Sequence, residues 1–170
     1  MKIAVTGANS SVGQNLLAQI TTQDKITVVA GVRSEQAKSS LPHSPRVEIR
    51  IISYDDSAGL AKLFTSVDSG VHLAGILIEN RQTSYASANV AATAAVVQAV
   101  KHSAVKHLVF ISVIGADANA ANAYFRSKGC AEKLVVESGI SASIIRAPIL
   151  LGPDTAGAKA LLGAASQTSI

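Results

Sequence analysis

Hydrophobic positions along this chain follow two alternating rhythms. Short apolar runs, rich in Val, Ile and Leu, predict strands at Lys2–Val5, Ile26–Val32, Val47–Ile52, Val71–Ala74, His107–Val113 and Ser141–Arg146. Between them the apolar residues return at helical spacing. Val12, Leu16, Leu17 and Ile20 share one face of a helix predicted over Ser11–Thr21. Further helices are predicted over Ser57–Phe64, Ser84–His102 and Asn122–Ser138. Strands that alternate with helices argue for βαβ units with right-handed crossovers. The expected fold is α/β, a doubly wound parallel sheet of about six strands with helices on both faces. Pro42 and Pro45 punctuate a loop before the third strand, and Gly152-Pro153 ends the segment after the sixth. Residues 1–153 are expected to form one domain. The Ala/Gly-rich stretch 154–170 is expected to be a tail that begins another helix.

Composition narrows this picture. With 170 residues the chain fits a single domain with one sizeable core. Hydrophobic residues make up 48% and aromatic residues only 4%, which suits parallel strands buried on both faces better than a sandwich. No apolar run reaches the ~18 residues of a membrane span; the longest, Val71–Ile78, already contains His72 and Gly75. The N-terminus enters a strand at once, which leaves no room for a signal peptide, and the lone Cys130 excludes an internal disulfide framework. A cytoplasmic location is expected. The net charge of +4 comes with no basic run and no interleaved aromatics, so no nucleic-acid partner is expected. A mild positive bias suits an anionic cofactor.

The first turn carries the clearest chemistry. Residues 5–13 read Val-Thr-Gly-Ala-Asn-Ser-Ser-Val-Gly, a strand running into a turn that opens a helix. Gly7 permits a tight turn, and Gly13 permits close packing of the helix on the sheet. Asn9, Ser10, Ser11 and Val12 then present the N–H groups and partial positive charge of a helix N-terminus to a pyrophosphate. An ordinary βα turn capped by Asn9 or Ser10 is the bland alternative.

The cofactor type follows from the end of the second strand. NAD-specific sites usually carry an acid there for the ribose 2′-OH. This chain reads Ala30-Gly31-Val32-Arg33-Ser34 and has none. Arg33 can fork onto a 2′-phosphate and Ser34 can add a hydroxyl bond, so NADP(H) is favoured, with NAD(H) the alternative. Arg33 as a plain solvated strand end is the bland reading.

Several later stretches match, in order, the short-chain dehydrogenase/reductase superfamily, whose extended and atypical branches this chain resembles. In that superfamily the turn typically reads Thr-Gly-x-x-Gly-x-x-Gly; here Ser10 stands at the middle Gly. Val71-His72-Leu73-Ala74-Gly75 is similar to the fourth-strand segment that passes beside the cofactor, which implicates Leu73, Ala74 and Gly75. Asn89-Val90-Ala91-Ala92-Thr93 is similar to the family's Asn-Val-x-Gly-Thr. Leu108–Ala116 resembles the fifth strand with its active-site serine, Ser112. Tyr124-Phe-Arg-Ser-Lys128 resembles the Tyr-x-x-x-Lys pair, and Arg146–Pro153 the segment after the sixth strand, which implicates Pro148. The resemblance covers residues 1–153 and implies a Rossmann fold and NAD(P) binding. It is nearest to NmrA-like proteins and to the NAD(P)-binding accessory subunit of respiratory complex I. It also implies that an acid after the third strand, Asp55, meets the adenine amino group; Asp56 fits equally as a helix N-cap.

Tyr124 and Lys128 are four residues apart on a predicted helix and therefore share a face. Hydride transfer to a carbonyl leaves an oxyanion that needs a proton. Tyr124 can supply it if its pKa is lowered toward working pH, and a nearby lysine ammonium does that. In the family the lysine also bonds the nicotinamide ribose. Ser112 is placed to hold the substrate carbonyl. Many extended members carry two adjacent hydroxyl residues here and use the second, a position that is Val113 in this chain.

Three functions therefore compete. The first is an NADP(H)-dependent oxidoreductase. The second is a non-catalytic dinucleotide-binding sensor or assembly protein, motivated by Ser10 and Val113. The third is a nucleotide-sugar epimerase or dehydratase. Extended relatives continue past the sixth strand into a substrate-binding portion that is apparently missing here, so a truncated product or fragment is expected and the small-molecule substrate is unknown. A homodimer is one expected form. The four histidines are scattered without metal-ligand spacing, so no metal is expected, and His72 reads as a satisfied residue near the fourth strand. Cys130 reads as core, and Ser127 carries no mark of reactivity.

Overall fold

The computed structural model describes residues 1–148, 150, 152 and 155–167. Six strands form one sheet: β1 (Lys2–Thr6), β2 (Thr27–Val32), β3 (Val47–Ile51), β4 (Ser69–His72), β5 (His107–Val113) and β6 (Ala142–Ala147). Their order is β3-β2-β1-β4-β5-β6, and every pair is parallel. This is the expected doubly wound arrangement. The helices are α1 (Ser11–Thr21), α2 (Glu35–Ser39), α3 (Ser57–Leu63), α4 (Ala92–Lys101), α5 (Ala123–Glu137) and α6 (Ala156–Gln167). Within the tail, Ala156–Gln167 form α6. Pro153, at the expected stop after β6, lies outside the described residues, as does Asp154.

The alternation of side chains along continuous apolar strands produces two cores. Ile3 and Val5 face one side of β1 and Ala4 the other. Leu17 and Ile20 of α1 pack with Val5, Val28 and Ala30 on the first face. Leu60 and Leu63 of α3, Val96, Val97 and Val100 of α4, and Ala131 and Val135 of α5 cover Ala4, Val29, Leu108 and Phe110 on the second. Helices therefore lie on both faces, and an ion pair fixes α5 to the β6 edge. Arg146 grips Glu132 with two nitrogens, at 2.9 and 2.6 Å.

The structure corrects three elements. The fourth strand, expected at Val71–Ala74, runs instead from Ser69 to His72. Ser69 and Gly70 pair with β1 and β5 although neither is apolar, and Phe64 and Leu108 fill the space beside Gly70. Leu73 keeps one bond to Thr6 O at 3.0 Å, and the chain then leaves the sheet. The helix expected over Ser84–His102 opens as a π-helical turn, Ala86–Ala91, in which Ala92 N–H reaches back to Ser87 O, before α4 begins. Helix α2 has no counterpart in the hydrophobic pattern because none of its residues is buried; Ser34 caps it by accepting from Ala37 N–H at 3.1 Å.

Candidate functional site

β1 and β4 are neighbours whose following segments leave the sheet for opposite faces. The crevice opens above their C-terminal ends, where a doubly wound sheet binds its ligands. At the end of β1, Gly7 adopts φ +72°, and a Cβ there would sit 2.6 Å from Ala74 N. Only glycine lets the turn pass so close to the chain leaving β4. A Cβ on Gly13 would meet Ala8 O at 2.4 Å, so α1 packs directly against the turn. Ser10 is the N-cap of α1, its hydroxyl accepting from Gly13 N–H at 3.0 Å. The capping expected of Asn9 or Ser10 is thus performed by Ser10, on the same turn that the pyrophosphate reading uses.

Two cavities flank this crevice, of about 540 and 460 Å³, and they share Leu73, Ala74, Gly75 and Ile76 as a common wall. Gly7, Asn9, Ser10, Arg33 and Asp55 line the first. Ser11, Ser112, Tyr124, Lys128 and Pro148 line the second. The residues expected at the two ends of a dinucleotide are therefore sorted into two adjoining spaces. Val12, Gly13 and Ser34 line neither; Gly13 serves packing and Ser34 caps α2. Asp56 caps α3, accepting from Gly59 N–H at 2.9 Å, which leaves Asp55 exposed at the first cavity.

Within the second cavity the expected trio is present in a particular state. Lys128 is almost fully buried, at 5% exposure. Its Nζ donates to Ile111 O at 2.8 Å and lies 4.5 Å from the centre of the Phe110 ring. It does not reach the Tyr124 phenol. Burial pushes the Lys128 ammonium down to about 8, with Glu132 opposing. The Tyr124 phenol is pushed up, by burial first and by Tyr85 second. In this structure Lys128 therefore does not exert the expected lowering on Tyr124, because its ammonium is engaged with the sheet. Ser112 is 1% exposed, and among the described residues its Oγ is the buried side-chain atom without a hydrogen-bond partner. A buried hydroxyl in that state calls for an explanation such as a ligand or water.

A second buried polar set is fully engaged. Thr6 Oγ1 lies 2.6 Å from His72 Nδ1, and His72 Nε2 lies 3.1 Å from Thr93 Oγ1. Thr93 spends its hydroxyl proton on Asn89 O at 2.6 Å. Its oxygen is thus the acceptor for His72 Nε2–H, and His72 Nδ1 accepts from Thr6. Burial pushes His72 down to about 3, so the ring stays neutral. Asn89 then pins the wall between the cavities, accepting from Ile76 N–H at 2.8 Å and donating to Ser127 Oγ at 3.0 Å. His72 is the satisfied residue that the sequence suggested.

Some lining residues were missed from the sequence. Tyr54 lines the first cavity one position before Asp55, and burial pushes its phenol up to about 12. Gln82, Thr83 and Ser87 also line that cavity, from the loop and π-helical turn after β4. The aromatic beside the Asp55-Asp56 pair was the available signal for Tyr54; the polar loop carried none.

A six-stranded parallel sheet in this order, with a glycine turn at its switch point, defines an NAD(P)-binding Rossmann domain. The chain belongs to the NAD(P)H-binding family, whose model matches residues 7–169. No curated protein matches the chain. Solved structures share the fold. UDP-glucuronic acid 4-epimerase from Bacillus cereus in complex with NAD is 22% identical, with TM-score 0.76, over 90% of this chain and 58% of that one. The Bordetella bronchiseptica enzyme WbmH in complex with NAD+ is 21% identical, with TM-score 0.77, over 91% and 58%. The oxidoreductase ylbE from Lactococcus lactis is 21% identical, with TM-score 0.70, over 86% and 68%. The chain thus spans less than three-fifths of the epimerase and WbmH. The fold expected from the short-chain dehydrogenase/reductase resemblance is the fold observed. Among the described residues no helix is long and apolar enough to cross a membrane.

Proposed function

We propose that this chain is the cofactor-binding domain of an NADP(H)-dependent oxidoreductase that reduces a carbonyl group, with Tyr124, Lys128 and Ser112 at the reaction centre. The observation that carries this reading is the sharing of one wall, Leu73–Ile76, between the cavity that starts at Gly7 and the cavity that holds all three residues. The chain's features fit a dinucleotide: a left-handed turn at Gly7 that lines the first cavity, and a buried Ser112 hydroxyl that lacks a partner. Residues 1–153 are the nucleotide-binding unit in this reading, and 154–170 begin a substrate-binding portion.

When bound, the dinucleotide supplies the hydride. The chain supplies the rest. The N–H groups at the start of α1, Ser11 and Val12, would hold the diphosphate. Arg33, exposed at the first cavity and unopposed by an acid at the end of β2, would hold a 2′-phosphate. Ser112 Oγ–H holds the carbonyl oxygen. Tyr124 would donate its phenolic proton to that oxygen. Lys128 would hold the nicotinamide ribose, with its ammonium exchanging Ile111 O for that partner.

A dinucleotide-dependent sensor is the second reading. The Lys128 contact with Ile111 O favours it, since it occupies the ammonium that catalysis would use. An epimerase or dehydratase is the third, suggested by the epimerase neighbour. Fluorescence titration with NADPH and NADH tests the cofactor assignment: tighter NADPH binding that Arg33→Ala abolishes supports it, and a preference for NADH overturns it. Turnover of a carbonyl and quinone panel, lost in Tyr124→Phe, supports catalysis. Equal turnover in Tyr124→Phe removes Tyr124 from the mechanism.

A further inference from the structure

The loop that joins β4 to the π-helical turn borders both cavities, through Leu77 on the second and Gln82 and Thr83 on the first. It is closed upon itself. Asn80 and Thr83 exchange backbone bonds of 3.1 and 3.4 Å, and Glu79 Oε1 accepts from Tyr85 N–H at 2.6 Å. Tyr85 completes the closure: its hydroxyl donates across eight residues to Leu77 O at 2.9 Å. The same ring packs on Tyr124, with centroids 5.7 Å apart and planes at 51°. Tyr124 has a second aromatic neighbour, Phe125, also at 5.7 Å.

These contacts differ in what they can fix. Phe125 sits on α5 beside Tyr124 and moves with it. Lys128, on the same helix, is turned to Ile111 O. Of the two rings that touch Tyr124, Tyr85 alone comes from a different element. We propose that Tyr85 is a positioning residue, which sets the Tyr124 ring over the reaction cavity from a loop that its own hydroxyl holds shut. This rests on the reading of Tyr124 as the proton donor. The π-helical turn serves the same end. It starts at Ala86, immediately after Tyr85, and delivers Asn89 to Ile76 and Ser127. Such turns recur at functional sites because they re-aim side chains by one position. A displacement of about 1 Å at a reacting group can cost ~100-fold in rate, so a fixed ring matters to a proton donor.

The chain has three tyrosines and no tryptophan, so 3-fluorotyrosine labelling of the full chain yields three ¹⁹F resonances, assignable by single Tyr→Phe changes. Tyr54, in the other cavity, is the internal control. In Tyr85→Leu the Tyr124 resonance is expected to shift by more than its linewidth while Tyr54 stays in place. Tyr85→Phe keeps the ring and loses the tether to Leu77, and is expected to place the resonance between wild type and Tyr85→Leu. An unmoved Tyr124 resonance in Tyr85→Leu overturns the proposal. So does a Tyr54 shift as large as that of Tyr124, which would mean general loosening. Adding NADPH to the wild type separates this from the parent reading. A Tyr124 signal that responds to Tyr85→Leu but never to NADPH rejects Tyr124 as a reaction-centre residue, and with it the catalytic sense of the positioning, while the ring contact itself stands.

Discussion

Replacing Lys128 by Met is expected to stabilise the chain at neutral pH while weakening its cofactor site. Lys128 is 5% exposed, its ammonium is held at about 8 against an ordinary 10.5, and one of its three N–H donors is engaged. A depression of this size means that the charged form costs the folded state about 3 kcal/mol at pH 7. Met fills the same slot without a charge. It forgoes the bond to Ile111 O and the contact with Phe110, which together offset about 1–2 kcal/mol. The net expectation is a gain of roughly 1–2 kcal/mol. The pH dependence gives the sharper test. A lysine whose folded pKa lies below its unfolded one adds stability as pH rises from the folded value to the unfolded one, and loses it on the way back down. Between pH 7 and 9.5 the wild type should therefore gain about 2 kcal/mol relative to Lys128→Met. Urea unfolding at both pH values reads this difference directly, and titration factors common to both proteins cancel. A wild-type-minus-variant difference that stays flat from pH 7 to 9.5 refutes the reasoning, because it would place the ammonium in contact with water. NADPH titration of the same pair supplies the functional half, with a weaker Kd expected for the variant.

Three other changes probe the crevice. Gly7→Ala should destabilise by at least about 2 kcal/mol, since the residue is left-handed and its Cβ would strike the Ala74 backbone; thermal melting and loss of dinucleotide affinity check this together. Ser10→Gly releases Gly13 N–H and restores the superfamily's middle glycine, so it should tighten NADPH binding at a cost of only a few tenths of a kcal/mol in capping; unchanged or weaker affinity would remove Ser10 as the obstacle. His72, held at about 3 against 6.5 in the unfolded chain, makes stability fall as pH drops through the window from 6.5 to 3, by up to about 1.4 kcal/mol per pH unit. Urea midpoints at pH 7, 6 and 5 should show a shallower slope in His72→Gln than in the wild type.

Sequence pattern located this fold because buried parallel strands and their covering helices are both written in apolar spacing. It failed where structure is written otherwise. Helix α2 is a single polar turn held by a cap, so it leaves no hydrophobic trace. β4 is displaced because Ser69 and Gly70 enter the sheet through backbone pairing, while Leu73–Gly75, apolar and strand-like, are the chain leaving it. That displacement improves the site, since residues freed from the ladder are what both cavities share. The turn at Gly7 was legible through spacing; Asp55 and the grouping of Ser112 with Tyr124 and Lys128 were suggested by the family resemblance. Tyr54 and Tyr85 were not, because each works through a partner distant in sequence. The direction of Lys128 was hidden as well: helical spacing puts it on the face of Tyr124 but cannot say which acceptor the ammonium finds.

Two sets of buried polar groups share the crevice, and their difference separates scaffold from chemistry. Thr6, His72, Thr93 and Asn89 satisfy one another in a fixed sequence of donors and acceptors, and so bind β1, β4 and the opening of α4 into one rigid floor. Their burial costs little because every partner is internal. Ser112 on β5 and Lys128 on α5 belong to different elements and are left incomplete, one without a partner and the other with spare donors. A fold that can satisfy a neutral histidine on both nitrogens is capable of satisfying a serine. Under the proposed function these two groups would give their hydrogen-bonding capacity to a ligand, and the stabilising effect expected of Lys128→Met would measure how much folding energy that arrangement withholds.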